Sequence, residues 1–325
     1  MKVIITGGAG FIGSVLLSRL NGAGITDITV VDNLSTSEKW QNLLGKQFTR
    51  YLHKDEFLAA ILNNTWKEKP DVIFHLGACS ATSENNADYL FRNNVQYSQT
   101  LCEYACSVGA RFIYASSAAT YGLGENGYSD DTTRLNQLRA INRYGFSKHV
   151  FDQWVVAQGL LGKVAGIKFF NVFGPNEYHK GPMISMVMRA YQQIQASGSV
   201  TLFKSSTPTY ADGEQRRDFV YVLDCVAALF SLATTNRDVC GIFNLGTGTS
   251  SSWNELANAV FAALNLPASI KYVAMPESMV AGYQNYTEAE MQKLQNALGV
   301  LNLSPLKATV ADYVMRFLQR DFATI

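Results

Sequence analysis

Short apolar runs alternate with longer amphipathic stretches through the first half of the chain. Val3-Ile4-Ile5-Thr6 predicts a buried strand, and Phe11 to Ala23 a helix after it. Ile28 to Val31 predicts a second strand, ending at Asp32. Val72-Ile73-Phe74 and Phe112-Ile113-Tyr114 are further strand-like runs, each leading into a turn of small residues. Between them, Tyr89 to Val108 has helical length and spacing. A helix beginning near Asn142 and a strand over Lys163 to Phe170 continue the alternation. Strands alternating with helices predict right-handed βαβ units, hence an α/β fold with a doubly wound parallel sheet.

After Phe170 the alternation weakens. Pro175, Gly181, Pro182 and the polar tract Ser205 to Gln215 mark loops. Leu223 to Thr234 and Trp253 to Leu264 predict helices, and Leu301 to Pro305 begins a terminal helical tail. The expected division is a nucleotide-binding domain over 1–170, with 219–246 returning to it. A smaller α/β substrate domain is expected from 171–218 and 247–325.

Composition removes several function classes. The 325 residues carry 27 Lys+Arg and 26 Asp+Glu, a formal charge of +1. There is no basic patch to hold nucleic-acid phosphates and no polybasic run for a membrane surface. The apolar start, Lys2 to Leu17, is interrupted by Gly7, Gly8, Gly10 and Gly13, and no apolar run reaches the ~20 residues of a membrane span. Five cysteines without CxxC spacing and four scattered histidines suggest no zinc site. The expectation is a reduced, cytoplasmic, metal-free protein.

Candidate chemistry begins at Gly7-Gly8-Ala9-Gly10-Phe11-Ile12-Gly13, between the first strand and the first helix. Gly7 suits a tight turn, Gly10 the approach of backbone amides to a pyrophosphate, and Gly13 close packing of helix on strand. The helix N-terminus adds free N–H groups and partial positive charge. Asp32 ends the next strand nineteen residues after Gly13, which makes this a dinucleotide fingerprint of the Rossmann type. A carboxylate there accepts from ribose hydroxyls and favours NAD, whereas Lys39 and Lys54 downstream could neutralise the 2′-phosphate of NADP. The residues alone leave that preference open.

Of the 16 tyrosines, only Tyr144 has a lysine four residues on, Lys148. On a helix the two share a face, and an ammonium beside a phenol would pull its pKa down from ~10. Upstream, Ser117 lies in Tyr114-Ala115-Ser116-Ser117-Ala118-Ala119-Thr120-Tyr121-Gly122, at the end of a predicted strand where ligands of open sheets bind. Its hydroxyl could hydrogen-bond a reacting oxygen. No GxSxG elbow supports a nucleophilic serine.

The glycine loop, Ser117, Tyr144 and Lys148 resemble the extended short-chain dehydrogenase/reductase family, which acts on nucleotide sugars. More narrowly, the chain resembles the branch that epimerises C6 of an ADP-linked heptose. The matching stretches are TGGAGFIGS from Thr6, VDN from Val31, GACS from Gly77, YASSAATYG from Tyr114 and YGFSK from Tyr144. FNVFGP from Phe170, HKG from His179, RDFVYV from Arg217 and GIFNLGTG from Gly241 continue it almost end to end. The resemblance implies tightly bound NADP, an ADP-heptose substrate, a role in lipopolysaccharide core precursor synthesis, and a homo-oligomer, commonly a pentamer. It implies cofactor contacts at Phe11, Ile12, Asp32, Asn33, Lys39, Lys54, Asn93, Lys148, Val172 and Lys180, and along His75, Leu76, Gly77, Ala78, Cys79 and Ser80. Tyr144 and Lys180 match the two acid/base residues. Substrate contacts fall on Asn171, Pro182, Arg189, Phe203, Lys204, Ser205, Ser206, Arg217 and Tyr283.

The implied chemistry has a physical logic. C6 is an unactivated carbinol, so its proton cannot be abstracted directly. Removing a hydride while a base takes the hydroxyl proton gives a planar ketone, and returning the hydride to the other face inverts the centre. Two hydroxyl orientations need two proton-transfer groups. The chain departs from the branch at Leu76, in place of an acidic residue, at Pro182 in place of a serine and at Arg189 in place of a histidine. About six extra residues lengthen the segment between Phe203 and Arg217. A UDP-hexose 4-epimerase is the alternative enzyme, and an NADP-sensing regulator the alternative of another class. A 4,6-dehydratase fits less well, because Ala118 and Ala119 stand where an acidic pair would drive water loss.

Overall fold

The computed structural model describes residues 1–299 and 301–325. At its centre is a seven-stranded parallel sheet of β1 (Val3–Thr6), β2 (Ile28–Asp32), β3 (Arg50–His53), β4 (Val72–His75), β5 (Arg111–Ser117), β6 (Val164–Phe169) and a last strand, Gly241–Leu245. The order across it is β3-β2-β1-β4-β5-β6 followed by Gly241–Leu245. Every residue of β1, β2, β4, β6 and the last strand is buried. That is why they read as continuous apolar runs: helices cover both faces of the sheet.

The order reverses between β1 and β4, the position where ligands of doubly wound sheets bind. Register aligns the strand ends there. Thr6 pairs with Val31 on one side and His75 on the other, and Ser117 pairs with Phe169. Gly7, Asp32, Leu76, Ser117 and Phe170 therefore emerge along one edge. Helix α1 (Phe11–Gly22) buries Phe11, Val15, Leu16, Leu17 and Leu20, and packs against the Val222–Ala233 helix.

Three features differ from the expected pattern. First, β3 and the following α2 (Lys54–Leu62) are additional to the expected elements, although α2 carries the apolar run Phe57-Leu58-Ala59-Ala60-Ile61-Leu62. β3 lies at the sheet edge with no buried residue, so an Arg, a Tyr and a His are tolerated in it. Second, the helix expected over 89–108 is interrupted. Ala87–Leu90 leads into a π-helical turn, Phe91–Gln96, before Tyr97–Val108. Third, only part of 219–246 reaches the main sheet. Phe219–Tyr221 pairs instead with Asn171–Phe173 in a separate two-stranded sheet.

Two further strand pairs, Val200–Phe203 with Ile270–Val273 and Arg216–Arg217 with Ser251–Ser252, join the Met186–Ser197 and Trp253–Ala263 helices on the far side of the carboxyl edge. The terminal helical tail begins at Leu306, after Pro305, and ends in a π-helical turn at Val314–Leu318. Among the described residues no helix is long and apolar enough to cross a membrane.

Candidate active site

The glycine loop is built for a ligand approaching the backbone. Gly7 has φ +70°, and a side chain there would meet the backbone of Gly77 at 2.6 Å. A Cβ on Gly13 would lie 2.1 Å from the Gly7 carbonyl oxygen. Gly10 caps α1 in an extended conformation with no side-chain hydrogen bond, so the first N–H groups of the helix point out unpaired by side chains. These features fit a dinucleotide pyrophosphate, whose negative charge the helix end would accept.

Asp32 is buried and its carboxylate is fully engaged. Oδ2 accepts the Ala9 N–H at 2.8 Å, while Oδ1 accepts the Asn33 N–H and the Lys39 ammonium, both at 2.7 Å. Lys54 Nζ donates to Asn93 Oδ1 at 2.6 Å. The π-helical turn places Asn93 on the cleft and the buried Asn94 behind it. Asn94 clamps the Cys79 backbone, accepting its N–H and donating to its carbonyl, each at 2.9 Å, and reaches Ser147 on the neighbouring helix. Asn94 was not expected from the sequence. Its signal was the asparagine pair itself, hidden inside a pattern read as continuous helix.

Tyr144 and Lys148 lie on the Arg143–Ala157 helix, whose N-cap Asn142 accepts the Gly145 N–H at 2.7 Å. Lys148 is buried and donates to the Ala115 carbonyl at 2.9 Å. Burial brings its ammonium down to about 8, against the pull of Asp152, which raises it. The phenol of Tyr144 differs from expectation. Burial pushes it up, and the Ser117 hydroxyl, rather than Lys148, is what draws it down.

Lys180 sits in a short 3-10 segment, Tyr178–Met183, with Nζ 5.0 Å from the centre of the Phe11 ring. Burial lowers its ammonium and the carboxylate of Glu177 raises it. Glu177 is itself fully buried and accepts hydrogen bonds from Ser185 and the Gly174 N–H, bracing the loop. Neighbouring His179, next to Asn42, is held down to about 4 by burial.

These residues surround a cleft of about 480 Å³ at the strand reversal. It is lined by Gly7, Gly10, Phe11, Ile12, Gly13, Asp32, Asn33, Lys39, Lys54, Leu76 to Ser80, Asn93, Ser117, Tyr144, Lys148, Val172 and Lys180. Two more spaces adjoin it through shared walls. An apolar pocket of about 700 Å³ shares Phe170, Val172 and Lys180, and includes Asn171, Arg189, Phe203, Trp253 and Tyr283. A smaller opening of about 310 Å³ shares Ser117, Tyr144 and Phe170, and includes Asn171, Arg217 and Tyr283. Arg217 is held between two rings, 5.4 Å from the centre of Trp253 and 5.2 Å from that of Tyr283. The indole N–H donates to the Tyr283 hydroxyl at 2.8 Å, closing the clamp. Trp253 read in the sequence only as a helix start.

Five expected residues do not line these spaces. His75 is buried between Thr6 Oγ1 and Ser98 Oγ, each at 2.7 Å, and burial holds it down to about 3. Strand alternation turns its side chain into the core while its backbone leads to Leu76. Pro182 offers its carbonyl to Arg189 at 2.8 Å. In the lengthened segment, Lys204 N–H bonds the Val273 carbonyl, Ser205 N–H bonds Asp212, and Ser206 is exposed.

The fold and site define a dinucleotide-dependent enzyme with a tyrosine–lysine pair beside a second, ring-clamped arginine pocket. The chain belongs to the NAD dependent epimerase/dehydratase family, whose profile matches residues 3–246. It is similar to proteins named ADP-L-glycero-D-manno-heptose-6-epimerase. One from Nitratidesulfovibrio vulgaris is 50% identical over 315 residues, 97% of each chain. One from Fusobacterium nucleatum is 40% identical over 328 residues, 98% of each. Among solved structures, the ADP-L-glycero-D-manno-heptose-6-epimerase of Helicobacter pylori superposes with a TM-score of 0.81 at 28% identity, covering 97% of this chain and 95% of that one. UDP-glucose 4-epimerase from Thermotoga maritima, with UDP-glucose, gives a TM-score of 0.79 at 25% identity, covering 99% and 100%.

Proposed function

We propose that the chain interconverts the C6 epimers of ADP-heptose, turning ADP-D-glycero-D-manno-heptose into ADP-L-glycero-D-manno-heptose, with NADP as resident cofactor. The observation that carries this reading is the meeting of Tyr144 and Lys180 on one cleft from different walls. Tyr144 also borders the opening with Arg217, and Lys180 also borders the apolar pocket. The similarity to named heptose epimerases over nearly the whole chain supports the choice of sugar.

The nicotinamide, when bound, supplies reversible acceptance of a hydride from carbon. The protein's residues do the rest. Tyr144, beside Ser117 on the same opening, takes or returns the proton of the C6 hydroxyl in one orientation, and Lys180 does so in the other. Lys148 places a cation near the phenol side of the site. Arg217, desolvated between Trp253 and Tyr283, binds the sugar diphosphate with charge-assisted hydrogen bonds. Phe169 and Phe170 give the cleft and the Arg217 opening a shared apolar wall.

NADP is favoured by the state of Asp32. Its charge is paired with Lys39, which offsets its repulsion of a 2′-phosphate, and Lys54 supplies a further cation on that side. Lys39→Met is expected to weaken NADP about ten- to hundredfold while changing NAD much less, since a charge-assisted bond contributes about 1.5–3 kcal/mol. Fluorescence titration of cofactor-stripped protein measures both affinities, and an equal loss for the two would remove Lys39 from that role. The activity is tested by incubating the protein with ADP-D-glycero-D-manno-heptose and following the C6 proton by NMR. Appearance of the L-glycero epimer is expected. No epimer, with turnover of UDP-glucose instead, would refute the heptose assignment.

A further inference from the structure

Behind Tyr144 and Lys148 lies a buried charge cluster that takes no direct part in the proton transfers. Tyr144, Lys148 and Asp152 are spaced by four along the Arg143–Ala157 helix and share a face. Asp152 Oδ2 accepts from Lys168 Nζ at 2.6 Å and from the Ser116 hydroxyl at 2.7 Å, and Oδ1 accepts from the Tyr114 hydroxyl at 2.9 Å. The two side chains are 0% and 1% exposed. Lys168, on β6, also donates to Thr120 Oγ1 at 2.8 Å and lies 5.2 Å from the centre of the Tyr121 ring. Thr120 in turn donates to the Ser117 carbonyl at 2.9 Å. One chain of bonds thus links the tyrosine–lysine helix, β6 and the Ser117 turn.

A buried ion pair is a weak stabiliser, because desolvating both ions offsets most of their attraction and apolar residues of equal volume often do as well. This pair sits one helical turn from the Lys148 ammonium. We propose that Asp152 and Lys168 are a positioning unit for the reaction: the Asp152 carboxylate keeps Lys148 protonated in its desolvated site, and Lys168 holds the Ser117 turn against Tyr144. The inference rests on the roles given above to Tyr144 and Lys148.

The surroundings agree. Lys148 donates one hydrogen bond, to Ala115, and Asp152 is the foremost charge that opposes its loss of a proton. Tyr144 feels Asp152 and Cys79, both of which raise it. The other groups facing the cluster are His75 from β4 and Cys79 beside Lys148, His149 on the same helix, Tyr114 from β5 with Cys102 behind it, and Tyr121 with Asp130 beyond it. Lys293 adds a positive charge on the side of Lys168. His149 is kept below its usual range by burial and by Lys168.

Removing the carboxylate has one sign. In Asp152→Asn, Lys148 loses the charge that raises its pKa, and an unpaired Lys168 either repels it further or becomes neutral. The test is the pH profile of kcat for the holoenzyme. The alkaline limb, where Lys148 loses its proton, is expected to move down by about one pH unit in Asp152→Asn, a roughly tenfold loss of kcat on that limb. Asp152→Glu and Lys168→Arg keep both charges and are expected to keep the limb. An even fall in kcat across all pH values with the limb in place would make the pair purely structural and overturn the proposal. If Asp152→Asn does not fold, the double variant Asp152→Asn/Lys168→Met, which removes both charges and leaves no unpaired ion, decides: a limb moved down supports the proposal, and a limb in its wild-type position overturns it. Full activity of Tyr144→Phe, measured alongside, would instead remove the reading on which the inference rests.

Discussion

Tyr144→Phe is expected to lower kcat for C6 epimerisation by about 100- to 10,000-fold, the usual contribution of a positioned acid/base. The fold and the affinity for the nucleotide should survive. The phenyl ring keeps the shape of the side chain, and the substitution removes only the phenolic hydroxyl. The check is a pair of measurements: turnover of ADP-heptose by NMR, and cofactor content by absorbance of the released nucleotide. Loss of both together would show a folding defect rather than a chemical one. Near-normal turnover would take Tyr144 out of the mechanism.

Gly13→Ala is expected to damage binding instead of chemistry. The new methyl group would stand 2.1 Å from the Gly7 carbonyl oxygen, and both partners are backbone that cannot swing aside. Gly7 in turn abuts the backbone of Gly77, so displacing it disturbs the β1 and β4 loops at once. Overpacking of this kind costs about 1–3 kcal/mol or more. The protein should melt several degrees lower and retain little cofactor after purification. A thermal scan and the bound-nucleotide ratio measure this, and wild-type values for both would contradict the cradle geometry.

Much of the site was legible because it is local. The glycine loop, Asp32 and the Tyr144–Lys148 spacing each occupy one short segment, and helix or strand periodicity alone says which way they face. Ser117 was legible from its position at a strand end. Lys180 was not: in His179-Lys180-Gly181 nothing marks the lysine as a candidate acid/base group, and only the resemblance pointed to it. Trp253 and Asn94 were hidden for a different reason. Each acts by meeting a residue far along the chain, Arg217 and Cys79 respectively.

By itself the sequence determined the strand–helix alternation, the glycine loop and the Tyr144–Lys148 spacing, because these depend on periodicity and spacing within one or two elements. The tertiary structure alone decided what those residues experience. It turned His75 into the core, occupied both oxygens of Asp32, and raised the Tyr144 phenol by burial where spacing had suggested Lys148 would lower it. It also brought Asp152 and Lys168 together from a helix and a strand. Burial and charge pairing depend on every element packed around a group, so they exist only once the sheet register and the helix packing bring distant segments into contact.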